Sequence, residues 1–152
     1  MSADSVTIAE AMVTALNGGS FSLSFMAERS YVPVRRLEDL GTLRVTVVPS
    51  GRELEILDRS RRAMVSHSID VGVQQRIGTG TMTEAQILAA CDPLAALVEE
   101  ISDFLQYAPL AVTDAVCTEV RNAPIYSPQH IDERRVFTSV LTFVYQLPRV
   151  AR

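Results

Sequence analysis

Apolar positions near the start of the chain recur with the period of an α-helix. The residues that share this face are Ala9, Met12, Val13 and Leu16. Thr7 and Glu10 have the spacing of a capping box, and the sequence Asn17-Gly18-Gly19 is typical of a helix end. The pattern therefore predicts a first helix over residues 5–17.

From residue 20 the apolar positions alternate with polar ones, which is the period of a β-strand. The predicted elements are a strand at residues 20–33, a single turn at 35–40, a second strand at 43–47 that ends at Pro49-Ser50-Gly51, and a third strand at 67–77. Residues 52–64 have weak periodicity and dense mixed charge, so we interpret them as part of a long, exposed, charged loop at about 49–64.

The strongest helical stripe in the chain follows Thr83, which forms a second possible capping box with Gln86. Its apolar residues are Ile87, Cys91, Leu94, Val98, Ile101 and Leu105. Asp92-Pro93 fits an N-cap followed by proline at the first helical position, so the stripe is either two helices or one kinked helix.

The end of the chain returns to the period of two. Val116, Thr118 and Val120 predict a fourth strand, and residues 135–147 predict a last strand that is apolar on both faces, as in the centre of a sheet. The whole chain, 1–152, is then a single α/β (α+β) domain of two layers. A mixed or antiparallel sheet of about five strands carries two main helices on one face.

Charge is unevenly distributed along the chain. The net charge of −4 gives no support to duplex binding, and all fourteen basic residues are arginine. Codon bias in a GC-rich genome or selection for bidentate contacts at interfaces would explain the use of arginine alone. The arginines of the predicted loop are Arg52, Arg59, Arg61 and Arg62. They are candidate contacts to phosphates or to an acidic partner surface, and a solvated loop is the alternative.

An acidic surface is predicted on the second helix. Residues 29–76 hold nine arginines against six acids, whereas residues 84–103 hold five acids and no base. If these surfaces lie on opposite sides, charge complementarity favours a head-to-tail ring. The candidate residues for the acidic ring interface are Glu84, Glu99, Glu100 and Asp103.

Enzymatic motifs are missing from the sequence. It has no phosphate-binding glycine loop and no nucleophile elbow, and His67 and His130 have no catalytic partner nearby. His130, predicted in a loop, could join Asp132 and Glu133 as metal ligands, but solvated charges explain these residues better. Cys91 and Cys117 are expected to be reduced thiols of the core. We therefore assign no catalytic, cofactor-binding or metal-binding residue, and expect no membrane segment.

Several short motifs, taken in order, resemble the tail terminator (tail completion) proteins of long-tailed bacteriophages. They are Arg29-Ser30-Tyr31-Val32-Pro33, Leu37-Glu38-Asp39-Leu40, Leu43-Arg44-Val45-Thr46-Val47-Val48-Pro49, Ser60-Arg61-Arg62, Ile69-Asp70-Val71-Gly72-Val73-Gln74 and Arg135-Val136-Phe137-Thr138-Ser139-Val140. With the N-terminal helix they span nearly the whole chain, and their order carries the resemblance.

The resemblance implies a non-enzymatic virion protein that forms a hexameric ring on the tail tube. Such a ring stops tube polymerisation and offers its other face to the head-proximal connector, after assembly in the host cytoplasm. The partners would be further copies of the chain, the tail tube protein and the connector, with DNA passing through the lumen without specific binding. The alternatives are another head-tail joining subunit, a small bacterial binding module and, last, an enzyme.

Overall fold

Three helices and five strands make up the part of the chain that the computed structural model describes, which covers residues 3–32, 40–111 and 113–150. In chain order they are α1 (Asp4–Gly18), β1 (Ala27–Arg29), β2 (Arg44–Ile56), β3 (Arg62–Arg76), α2 (Glu84–Tyr107), β4 (Val116–Arg121), α3 (Pro128–Arg134) and β5 (Val136–Val150). The turn predicted at residues 35–40 falls almost entirely outside the described residues.

The strands form a mixed sheet in the order β1-β2-β3-β5-β4. β1 runs parallel to β2, and the other neighbouring strands are antiparallel. With the helices, this sheet confirms the predicted α+β class. The strands predicted at 67–77 and 135–147 are present as β3 and β5, both longer than predicted, and β5 lies inside the sheet as the coverage of its two faces indicated.

One face of the sheet is covered by α1 and α2, and we call it the helix-side face. Alternate residues of each strand point to it, so cross-strand neighbours such as Ile69 and Phe143 are fully buried there. Met12 of α1 and Leu97 and Ile101 of α2 belong to the same core. Burial of each such side chain contributes roughly 1.5–3 kcal/mol, which is why the two layers stay together.

The capping box predicted for α2 is present. Thr83 Oγ1 accepts a hydrogen bond from the Gln86 backbone N–H at 3.2 Å, and Gln86 Oε1 accepts one from the Thr83 N–H at 2.9 Å. α2 is a single helix with Pro93 inside it, which decides between the two arrangements that the sequence allowed. The ring of Pro93 is exposed, so it displaces no core residue.

The helix predicted at 5–17 is confirmed as α1, but its predicted capping box is wrong. Ala3 is the N-cap and no side chain caps the helix. Thr7 therefore lies inside α1, where its hydroxyl donates to the Ala3 carbonyl at 3.2 Å. Glu10 instead pairs with Arg29 of β1, with 2.6 Å between Oε1 and Nε, which ties α1 to the edge of the sheet.

Most of the strand predicted at residues 20–33 is absent, since only Ala27–Arg29 pairs with a neighbour. The parallel partner β2 begins at Arg44, so the residues before β1 have no strand to pair with. Their apolar side chains pack on α2 instead. The Phe21 ring meets Phe104 edge to face, with 5.2 Å between the centroids.

Residues 49–64 form a β-hairpin, which corrects the predicted charged loop. β2 continues through a bulge after Pro49, and only residues 57–61 separate it from β3. Leu54 lies opposite Val65 on the helix-side face, and the glutamates on either side of Leu54 point to the other face. Dense charge is compatible with a strand here because it alternates with apolar positions.

The third helix, α3, was not predicted. Ser127 is its N-cap and Pro128 its first residue, with Ser127 Oγ accepting from the His130 N–H at 3.4 Å. β4 pairs only with the middle of β5, and α3 lies beside the first part of β5 that β4 does not reach, since the Ser127 N–H donates to the Thr138 carbonyl at 3.0 Å. His130, predicted in a loop, thus belongs to a helix.

Candidate functional site

Residues 52–66 form the outer part of the β2–β3 hairpin, and we call them the hairpin arm. Arg52, Leu54 and Ile56 share its helix-side face. Leu54 is 49% exposed and Ile56 is 78% exposed, although both lie on the face that is covered elsewhere in the sheet. Val65, opposite Leu54 on this face, is fully buried, whereas the described helices leave much of Leu54 and Ile56 open to solvent.

The tip of the hairpin arm is held by one carboxylate. Asp58 Oδ1 accepts from the Ser60 N–H at 2.9 Å, and Asp58 Oδ2 accepts from Arg62 Nε at 2.8 Å. The hydrogen bonds from Arg62 and Ser60 lower the pKa of Asp58. Arg61 adopts a left-handed conformation, with φ of 66°. Arg62 is thus engaged within the turn, whereas Arg59 and Arg61 are exposed at its end.

The base of the arm contains a buried polar pair. His67 in β3 and Tyr145 in β5 are cross-strand neighbours, both almost completely buried. Among the described residues, neither His67 ring nitrogen nor the Tyr145 hydroxyl has a hydrogen-bond partner. Burial lowers the pKa of His67, with Arg52 and Arg149 acting in the same direction and Asp4 against them. Burial likewise raises the pKa of Tyr145. Both groups are therefore held neutral near pH 7.

A groove of about 320 Å³ lies between α2 and α3, and we call it the acidic groove. Its apolar lining includes Ile87, Leu88, Ala95, Tyr126, Ile131 and Phe137. Glu84 and Asp92 belong to the same groove. Leu88 is 51% exposed and Tyr126 is 45% exposed, so the groove combines open apolar surface with two carboxylates.

The predicted acidic face is only partly present. Helical spacing places Glu84, Asp92, Glu99 and Asp103 on one exposed side of α2. Glu100 does not belong to this open surface, because its carboxylate accepts hydrogen bonds from the backbone N–H and the hydroxyl of Ser22, the former at 3.0 Å. The irregular segment after α1 thus engages the Glu100 carboxylate within the chain.

The hairpin arm and the acidic groove lie at opposite ends of the sheet. Phe137 lines the groove, and Leu147 pairs with Val65 in the arm. These residues are ten positions apart in β5, which corresponds to roughly 33 Å. The structure does not bring the arginines of the arm and the acids of α2 together within one chain.

The remaining candidate residues have structural partners. His130 Nδ1 lies 2.8 Å from Thr138 Oγ1, and that hydroxyl oxygen accepts a hydrogen bond from Gln74 Nε2 at 3.1 Å. Cys91 and Cys117 are free, and burial raises the pKa of both thiols. Within residues 3–32, 40–111 and 113–150, no three His, Cys, Asp or Glu side chains come together as a metal site would require.

Among the described residues, no helix has both the length and the apolar character needed to cross a bilayer.

The exposed apolar residues of the arm and the groove were not singled out from the sequence. A signal for the arm was present, since Leu54 and Ile56 alternate with Glu53 and Glu55. The groove had no local signal, because α3 and α2 are distant in the sequence and meet only in the fold.

Similarity to known proteins is found among solved structures. No protein-family description matches the chain, and none of the curated proteins matches it. Among solved structures, a chain from the "Virion of native gene transfer agent (GTA) particle" is similar, with a TM-score of 0.45 and 14% sequence identity. The match covers 97% of this chain and 96% of that chain.

Proposed function

We propose that this protein is a non-enzymatic structural subunit of a phage-like particle, in which copies of the chain form a ring on the end of the tail tube. The ring stops tube polymerisation and offers its other face to the head-proximal connector. The observation that carries the proposal is the pair of complementary surfaces, the hairpin arm and the acidic groove, at opposite ends of one sheet. The order of motifs that resembles tail terminator proteins supports the same role.

A contact between two unlike surfaces of the same chain is heterologous, so it generates either a closed ring or an open filament. A closed ring has a fixed size, because no docking surface is left for another copy of the chain. Such a particle suits a cap, which must not itself extend the tube. A hexamer is the expected ring, as in the proteins that the motifs resemble. One flat side of the ring would then bind the end of the tube as a tube ring does. The other side would lack the surface that a further tube ring needs for binding.

Arg59 and Arg61 at the tip of the arm, and Arg52 at its base, are the basic residues best placed to reach an acidic neighbour. Their partner is either the next copy in the ring or the tail tube protein. DNA passes through the lumen without specific binding, in keeping with a net charge of −4. Assembly takes place in the host cytoplasm, and the mature position is the head-tail junction of the virion.

The experiment combines light scattering of the purified protein with negative-stain imaging of the protein mixed with tail tubes and tube monomer. We expect rings of roughly six subunits, in solution or on tube ends, and tubes that stop elongating once capped. A monomer or dimer that ignores tubes, while the tubes continue to grow, would contradict the proposal. Rings that bind the connector but leave tube growth unchanged would identify an adaptor of the neck instead.

A further inference from the structure

The acidic groove has the character of a docking site for an apolar segment with basic flanks. Leu88 and Tyr126 leave much of its apolar wall open, and Glu84 and Asp92 supply negative charge beside it. Its volume of about 320 Å³ lies at the lower end of the range for ligand pockets, which is on the order of 300–1,000 Å³. A few aliphatic side chains would fill it.

The hairpin arm has the matching chemistry on one face. Leu54 and Ile56 are the exposed apolar residues, and Arg52 lies on the same face at the base of the arm. Arg59 and Arg61 extend the positive charge beyond the apolar pair. The arm thus presents apolar residues with arginines before and after them.

The opposite face of the arm does not match the groove. Glu53 and Glu55 point there, and carboxylates placed against Glu84 and Asp92 would repel them. Charge therefore favours the helix-side face of the arm as the face that binds the groove. A general attraction between a basic tip and an acidic helix would not distinguish between the two faces.

We propose that the helix-side face of the hairpin arm in one copy of the chain fills the acidic groove between α2 and α3 of the next copy. The occupant is a second copy because the two surfaces are roughly 33 Å apart in one sheet and cannot meet within a chain. Leu54 and Ile56 enter the apolar groove, and Arg59 and Arg61 face Glu84 and Asp92. This inference rests on the proposed ring and names the surfaces that close it.

The first test replaces the two apolar residues of the contact. The Leu54→Ser and Ile56→Ser double variant should raise the protein concentration needed for ring formation by about tenfold or more. The matched control is the Glu53→Ser and Glu55→Ser double variant on the opposite face of the same strand, which should form rings at least as readily as the unaltered protein. Equal loss in both variants would overturn the proposal.

The second test reverses the charges. Arg59→Glu with Arg61→Glu should weaken ring formation, as should Glu84→Arg with Asp92→Arg, and combining the four substitutions should restore it. Glu99→Arg with Asp103→Arg separates the groove from the wider acidic side of α2 that the sequence predicted: these acids lie outside the groove, so ring formation should be unchanged, and a loss equal to that of the groove variant would overturn the contact. Failure of the combined variant to recover, with every variant folded by circular dichroism, would overturn the contact.

The third test measures proximity and does not depend on a loss of function. Cys91 lines the groove, so an Ile56→Cys variant in a Cys117→Ala background should be cross-linked between copies by a short bis-maleimide. A Glu55→Cys variant should not be, nor should Ile56→Cys once Cys91 is replaced by alanine. Rings that assemble but give no Cys91-dependent cross-link would refute this contact and leave the proposed cap standing. Absence of rings from the unaltered protein, even on tail tubes, would refute the proposed function itself.

Discussion

The part of the sheet beneath the helices and the hairpin arm are made from the same strands but end in opposite states. Ile69 and Val71 of β3 are fully buried under α1 and α2, whereas Leu54 and Ile56 of β2 point to the same face and are exposed. The strands stay paired in both regions, whether or not helices cover them, because strand pairing satisfies the hydrogen bonds of the backbone. Apolar residues that continue past the end of the helix layer are therefore available to another molecule.

The most direct way to break this comparison is to truncate one aromatic residue under the helices and one aliphatic residue in the arm. Phe143→Ala should lower the free energy of unfolding by about 3–5 kcal/mol, because it leaves a cavity in a packed core. Ile56→Ala should change it by less than about 0.5 kcal/mol in the monomer, since its side chain is mostly in solvent. Urea unfolding monitored by circular dichroism gives both values, and similar losses would show that the arm is part of the core.

The dependence of stability on pH sharpens the comparison, because His67 is buried at the base of the arm. Its pKa is lowered in the folded protein, chiefly by burial, so the unfolded chain binds the extra proton first as pH falls. Stability should then be constant above the ordinary histidine pKa of about 6.5 and should decline below it, by at most about 1.4 kcal/mol per pH unit for one proton.

The matched variants for this prediction are His67→Phe and His130→Gln, measured by urea unfolding between pH 7.5 and 5. The first should remove most of the decline, and the second should leave it in place, because it keeps the buried His67 ring. A decline that persists without His67 would place the titrating group elsewhere.

The smallest expected effect concerns the tip of the arm. Arg61 has a positive φ, which costs a residue with a side chain roughly 1–2 kcal/mol, whereas glycine adopts it freely but loses more entropy on folding. Arg61→Gly should therefore raise the stability of the monomer by about 0.5 kcal/mol or leave it unchanged. The same variant should form rings less readily, so stability and assembly would change in opposite directions. A fall in both would mean that the arginine side chain supports the turn.

Periodicity was sufficient where an element buries one continuous face. α2 and β5 were predicted for this reason, and the Thr83 capping box is a local signal that the fold leaves in place. The strand from residue 20 was wrong because pairing requires a partner, and β2 offers none before Arg44. The alternation of Phe21 and Phe25 instead serves contacts with α2.

The candidate site was only partly visible in the sequence for a related reason. Charge revealed the arginines of the arm and most of the acidic side of α2. It could not reveal that Glu100 accepts hydrogen bonds from Ser22, or that α3 would form the second wall of the groove. Both depend on contacts between residues far apart in the chain. Sequence pattern thus located the charged halves of the surfaces but not the apolar halves.

The long pairing of β3 with β5 has a mechanical consequence. These strands are paired from Arg62 to Arg76, and together they run from the hairpin arm to the groove. A pull applied between the two ends acts along the strands, at right angles to their hydrogen bonds. The bonds are then strained in parallel rather than opened one after another. A subunit held by its neighbours at both ends, as in the proposed ring, would resist tension by shear.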